Sequence, residues 1–160
     1  AALQRSVLPI FGEASELKPE YKVGSSRFDF RFQEAGMEKP TLVEVKLAGH
    51  TMKSPDPESD ETCAVFGFRA DGKSRKAPVS SRAVKHLREL ITLNEQFNTH
   101  FLFVCPWPDT DFLRICGETD PTCHQAIVDA IEAGVQVNCL CFRWENGDCF
   151  YHSQIPVHYQ

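Results

Sequence analysis

The chain has 160 residues, with 17 Lys and Arg against 22 Asp and Glu for a net charge of −5, and 42% of its residues are hydrophobic. That length suits one compact domain burying about two-thirds of its unfolded surface, and the balance of apolar and charged residues is that of a soluble globular protein. No apolar run approaches the ~18 residues that span a bilayer, the strongest being residues 101–105, and the first six residues carry no apolar signal-peptide core, so a membrane protein, a coiled-coil or collagenous rod and a disordered acidic tail are excluded.

Residues 20–32 alternate around Tyr21, Val23, Phe28, Phe30 and Phe32, with Gly24, Ser25 and Ser26 between, and read as two strands and a turn. Residues 41–47 form a third strand through Leu42, Val43, Val45 and Leu47. From 50 to 78 periodicity is lost among Pro55, Pro57, Gly67, Gly72 and Pro78, which predicts a long polar loop. Ser80 and Ser81 offer N-cap oxygens to a helix over 82–97, whose apolar positions Ala83, Val84, Leu87, Leu90 and Ile91 recur at helical spacing. Residues 101–105 are a buried strand stopped by Pro106 and Pro108. Asp120 and Pro121 open a second helix that runs to about 133 and ends at Gly134. A strand over 135–144 and its partner over 150–157 flank Asn146-Gly147, a hairpin turn signal. The order predicts a single α/β domain over 1–160, with a central mixed β-sheet flanked by helices.

Seven cysteines occur, an odd number without any C-x-x-C, so neither a closed disulfide framework nor a zinc ribbon is supported. Cys105, Cys139 and Cys141 lie in apolar strand-like runs, where cysteine packs as a small hydrophobe. Reduced thiols in an intracellular, reducing compartment are expected; cytoplasm, nucleus and organelle are not distinguished.

The chemistry concentrates in strands two and three. Glu44 and Lys46 are two apart and project from one sheet face, while Val43 and Val45 face the other way. Fourteen residues separate Asp29 from Glu44, within reach of a hairpin. Polar side chains inside a buried strand are costly unless they pair or bind something. Two carboxylates, with a backbone carbonyl such as that of Val45, make an oxygen site for Mg²⁺ or Mn²⁺ beside phosphate oxygens, and Lys46 would hold the attacking water and stabilise the transition-state charge. An E-x-K triplet is common by chance, and the default for it is a Glu–Lys ladder on a solvated sheet face; Asp29 within a strand adds weight. A second feature is residues 69–88, which hold seven cations against the single acid Asp71, a net +6 that leaves −11 on the remainder of the chain. Such polarity suits a phosphate-backbone binder. Arg82 and His86 lie one helical turn apart, with Lys85 to the side.

Together these pieces resemble the sugar fermentation stimulation protein family, SfsA, over about residues 8–157. The resemblance rests on Glu20 followed by Gly24-Ser25-Ser26-Arg27-Phe28-Asp29-Phe30, on Val43-Glu44-Val45-Lys46, on the stretch from Val79 through Arg82, Lys85 and His86 to Leu90, and on Asp120-Pro121, Gly134-Val135-Gln136-Val137 and Ile155-Pro156-Val157. It implies a PD-(D/E)XK restriction-endonuclease-like core, with Asp29 and Glu44 as metal ligands, Lys46 as the catalytic lysine and Glu20 as an auxiliary acid. Arg27, Arg82, Lys85 and His86 would face nucleic acid. Ala83 replaces the family's glycine, Ala77-Pro78 stands where an aspartate is expected, and the family's N-terminal OB domain is expected to be absent, so a separate partner or a preceding region would capture substrate.

The function expected is a divalent-metal-dependent nuclease that cuts DNA in preference to RNA with low sequence specificity and no membrane partner. The alternative is a non-catalytic nucleic-acid-binding or regulatory module that keeps the nuclease fold.

Overall fold

A computed structural model describes residues 8–159, and the expectation about the first six residues lies outside them. Among the described residues the order is β1 (Ala14–Val23), β2 (Ser26–Glu34), β3 (Thr41–Leu47), β4 (His50–Lys53), β5 (Thr62–Phe66), α1 (Ser81–Leu93), β6 (Asn98–Cys105), β7 (Phe112–Ile115), α2 (Pro121–Glu132), β8 (Gln136–Glu145), β9 (Asp148–Ile155) and β10 (Val157–His158). A six-stranded sheet runs β1-β2-β3-β6-β8-β9. Its centre, β3-β6-β8, is parallel, and antiparallel hairpins close both ends. This is the mixed sheet with two helices that the element order predicts.

Both faces of the central strands are apolar. On one face Phe28, Leu42, Phe101, Phe103, Cys139 and Cys141 meet Val84, Leu87 and Leu90 of α1 and Ala126, Ile127 and Ala130 of α2. On the other, Phe32, Val43, Leu102 and Leu140 pack with Leu8, Ile10, Phe11, Val45, Phe142 and Tyr151. Burial on two sides explains why β6 reads as a continuous apolar run instead of an alternation. Fully burying each large side chain stabilises the fold by about 1.5–3 kcal/mol.

Two segments depart from expectation. The stretch 50–78 is not all loop: β4 and β5 pair antiparallel and, with β7 and β10, build a second, four-stranded sheet in the order β10-β7-β5-β4. The reading missed β4 because His50-Thr51-Met52-Lys53 is exposed throughout, and β5 because Cys63 and Ala64 are weak strand signals despite being fully buried. Helix α1 also stops at Leu93, short of 97. Asn94 spends its side-chain amide on the distant Ala133 carbonyl and accepts from nearby Thr99, two bonds that fix the chain where it leaves the helix. The Asn146-Gly147 turn holds, with φ of 53° and 89°, both in the left-handed region that a type I′ hairpin requires. All seven cysteines are free and only Cys149 is exposed; burial pushes the Cys123 thiol up to about 12 and Cys139 up as well, so both stay neutral and pack as hydrophobes.

Asp120 links the two helices. It is fully buried and caps α2, one carboxylate oxygen accepting from the Cys123 N–H at 2.9 Å and the other from the Val79 N–H at 2.7 Å, just before α1. Gly67, at φ 76°, passes so close that a Cβ there would lie 3.1 Å from that of Asp120. Asp120→Ala loses the cap and orphans a buried N–H, so a loss of about 2–3 kcal/mol is expected in urea denaturation. His100, buried on β6 against Phe11, supplies a pH test. Burial lowers its pKa from 6.5, with Glu34 opposing, so the unfolded chain takes the proton first as pH falls. Stability is therefore full above about pH 6.5 and declines as pH drops through that value. Denaturation midpoints of His100→Gln should show a flatter acid limb than the parent.

Candidate functional site

The site begins where a ladder ends. Strands β2 and β3 pair through Phe32↔Thr41, Arg31↔Leu42 and Phe30↔Val43, and then separate. Beyond that point the Val45 N–H donates to the Asp29 carboxylate, Oδ2, at 2.6 Å. A side chain thus takes the amide that a continuing ladder would have used. On its other side β3 stays paired with β6 along its whole length, from Thr41 to Leu47, so the opened edge rests on a rigid strand.

Glu44 and Lys46 project toward α1, as their spacing requires. Glu44 is only 1% exposed. Its Oε1 accepts from the Lys46 ammonium and lies 2.6 Å from His86 Nδ1. Because a carboxylate can only accept, the geometry assigns the proton to Nδ1. The second oxygen, Oε2, is buried with no hydrogen-bond partner among the described residues. Lys46 also donates to the Val45 carbonyl at 3.3 Å. A buried carboxylate with one oxygen clamped and the other orphaned is an expensive arrangement unless it receives a ligand. Asp29, Glu44 Oε2 and the Val45 carbonyl offer oxygen atoms, the donor type that a hard divalent cation takes. No group of three or more His, Cys, Asp or Glu side chains arranged to hold a metal occurs among the described residues.

The other expected residues fall in two places. Glu20, at φ 52° in β1, forms an exposed ion pair with Arg27 at 3.1 Å instead of joining Asp29 and Glu44. Both line an open cleft of about 740 Å³ with Ser25, Ser26, Ser81, Arg82, Lys85 and His86. Arg82 and Lys85 are exposed there, Lys85 reaching Ser25 Oγ at 3.5 Å and Glu89 at 3.7 Å. His86 differs from its neighbours: it is 3% exposed, packs on Phe28 and stands behind Glu44, so it connects cleft and carboxylate. Part of the basic segment is occupied in shaping its own loop, since Arg69 bonds the Thr119 and Ala77 carbonyls and Arg75 pairs with Asp71. Sequence reasoning missed the His86–Glu44 bond, which spans 42 residues and leaves no local signal, and it did not single out Ser26, whose hydroxyl is buried without a partner.

Comparison with known proteins identifies the family and the fold. A family model described as the sugar fermentation stimulation protein RE domain matches residues 1–61 and 77–148. The sugar fermentation stimulation protein homolog of Methanococcoides burtonii is 28% identical over 160 residues, covering 98% of this chain and 56% of that protein. The homolog of Bdellovibrio bacteriovorus is 30% identical over 129 residues, covering 77% and 44%. The chain thus spans about half the length of the curated relatives it matches. Its fold superposes with a TM-score of 0.67 on the structure of Pyrococcus furiosus SfsA in complex with Ca²⁺, at 24% identity, over 88% of this chain and 54% of that one. With a family model matching most of its length, the chain belongs to the sugar fermentation stimulation protein family.

Proposed function

We propose that this chain is a divalent-metal-dependent nuclease with a restriction-endonuclease-like core, acting on DNA in preference to RNA and with low sequence specificity. The observation that carries the reading is Glu44: a carboxylate almost wholly out of water, one oxygen held by Lys46 and His86, the other buried and unpartnered beside the opened β2–β3 edge. Asp29, Glu44 Oε2 and the Val45 carbonyl would hold Mg²⁺ or Mn²⁺, which would supply an acidified water and shield the phosphate charge. The Ca²⁺ complex of Pyrococcus furiosus SfsA supports a divalent cation on this fold. Lys46 would hold the nucleophilic water and stabilise negative charge as it develops on the phosphate. Arg27, Arg82 and Lys85 would contact the backbone across the cleft, which favours binding without base readout.

A second reading, a non-catalytic nucleic-acid-binding module, is favoured by one observation: the Lys46 ammonium is engaged by Glu44 and the Val45 carbonyl. A cleavage time course on labelled single- and double-stranded DNA and RNA, with Mg²⁺, Mn²⁺ or EDTA, separates the two. The nuclease should cut only with metal, and Glu44→Gln or Lys46→Met should slow it about 10²-fold or more in protein whose circular dichroism at the assay temperature shows the fold retained. Binding without cutting in every metal would overturn it in favour of the second reading. The role of His86 has its own test. Calorimetric Ca²⁺ titration of His86→Ala should show affinity lower by roughly 10–100-fold, and His86→Asn, whose amide can replace Nδ1 as donor, should recover most of it. Equal affinity in all three proteins would mean that Lys46 alone holds Glu44.

A further inference from the structure

The N-terminal turn of α1 leaves backbone donors free at the edge of the cleft. Ser80 caps the helix by accepting from the Ala83 N–H at 3.1 Å, and the Ser80 carbonyl takes the Val84 N–H. The N–H groups of Ser81 and Arg82 have no acceptor among the described residues, and the first turn holds no acidic side chain. Free amides at the positive end of a 13-residue helix attract anions. This turn forms one wall of the basic cleft. The facing wall is the β1–β2 turn, and it carries an independent signal: Ser26 lines the cleft, is 3% exposed, and its hydroxyl has no hydrogen-bond partner among the described residues. Burying an unpaired hydroxyl is unfavourable in the absence of a ligand. Lys85 joins the two walls at Ser25, and the Arg82 guanidinium has no acceptor among the described residues. The acids near the pocket are Glu20, paired with Arg27, and Glu89, beside Lys85.

We propose that this pocket is a phosphate subsite, formed by the Ser26 hydroxyl, the Ser81 and Arg82 N–H groups, and the Arg82 and Lys85 cations, which takes a phosphodiester next to the one being cut. That its ligand belongs to a nucleic-acid strand rests on the nuclease reading; the anion pocket itself does not. The donors are hydroxyl, amide, guanidinium and ammonium, which together match the oxygens of a tetrahedral anion and would reject a cation. His86 lines the same cleft and bonds Glu44, so the subsite adjoins the candidate metal centre. A phosphate seated here would hold the strand in register while its neighbour lies against Asp29 and Glu44.

The test is fluorescence anisotropy with a labelled single-stranded oligodeoxynucleotide in EDTA, where cleavage plays no part. Arg82→Gln should weaken binding and reduce the slope of log K against log salt by about one. Ser26→Ala should bind roughly 3- to 10-fold more weakly, yet melt no lower than the parent protein because the lost hydroxyl has no partner. A single neutral methylphosphonate moved along the strand should cost affinity at one position in the parent and at none in Arg82→Gln. Inorganic phosphate should compete only weakly, and a phosphate site unrelated to nucleic acid would show strong competition with no positional cost. Parent-like affinity and salt slope in both variants, a uniform methylphosphonate cost, or a lower melting temperature for Ser26→Ala would each overturn the subsite. These outcomes bear on the place of Arg82 in strand binding and leave catalysis undecided, because metal-dependent cleavage and Glu44→Gln test the nuclease reading separately.

Discussion

Removing a carboxylate from water costs several kcal/mol unless partners replace the lost solvation, and Glu44 sits almost entirely out of water in the middle of this fold. Its two partners come from different levels of organisation. Lys46 is two residues along the same strand, so the extended backbone delivers it automatically. His86 comes from the second turn of α1, 42 residues away, and reaches Glu44 only because the helix packs on that face of the sheet. The docking of α1 and the state of Glu44 therefore depend on each other. Val84, Leu87 and Leu90 supply the apolar contact, and the His86–Glu44 bond adds a polar tie between helix and sheet.

The remainder of the architecture keeps α1 in that position. Asp120 caps α2 and ties down the chain just before α1, so a single buried carboxylate fixes the start of one helix and the approach to the other. Thr119 and Arg69 close the intervening loop through the Gly67, Thr119 and Ala77 carbonyls. At the far end of α1, Asn94 bonds both the end of α2 and the start of β6. The small four-stranded sheet holds β5 beside β7, each of which leads into one of these helices. These contacts tie both ends of α1 to the rest of the fold.

Electrostatics divides along the same lines. The chain is acidic overall, yet the cleft gathers Arg27, Arg82 and Lys85 on one side of Glu44. A basic concavity on an acidic body steers a polyanion to one place and repels it elsewhere. Arg69 and Arg75, which the sequence groups with those cations, serve loop structure instead. The cationic charge at the cleft is thus smaller and more localised than a count over 69–88 suggests.

Much of this was legible from the sequence because it is local. The Asn146-Gly147 hairpin, the Asp120-Pro121 helix start, the Ser80 cap and the shared face of Glu44 and Lys46 follow from backbone preferences acting over a few residues. The family motifs likewise marked Asp29, Glu44 and Lys46 as a unit. The second sheet was not legible, because His50-Thr51-Met52-Lys53 is exposed and gains its strand geometry only by pairing with β5. Tertiary structure alone decided that Glu20 pairs with Arg27, that His86 stands behind Glu44 instead of facing the cleft freely, and that the Ser26 hydroxyl is buried without a partner. The Glu20–Arg27 pair is set by side-chain placement inside the β1–β2 hairpin, across seven residues; the other two depend on where α1 docks against the sheet, a long-range packing outcome to which local periodicity is blind.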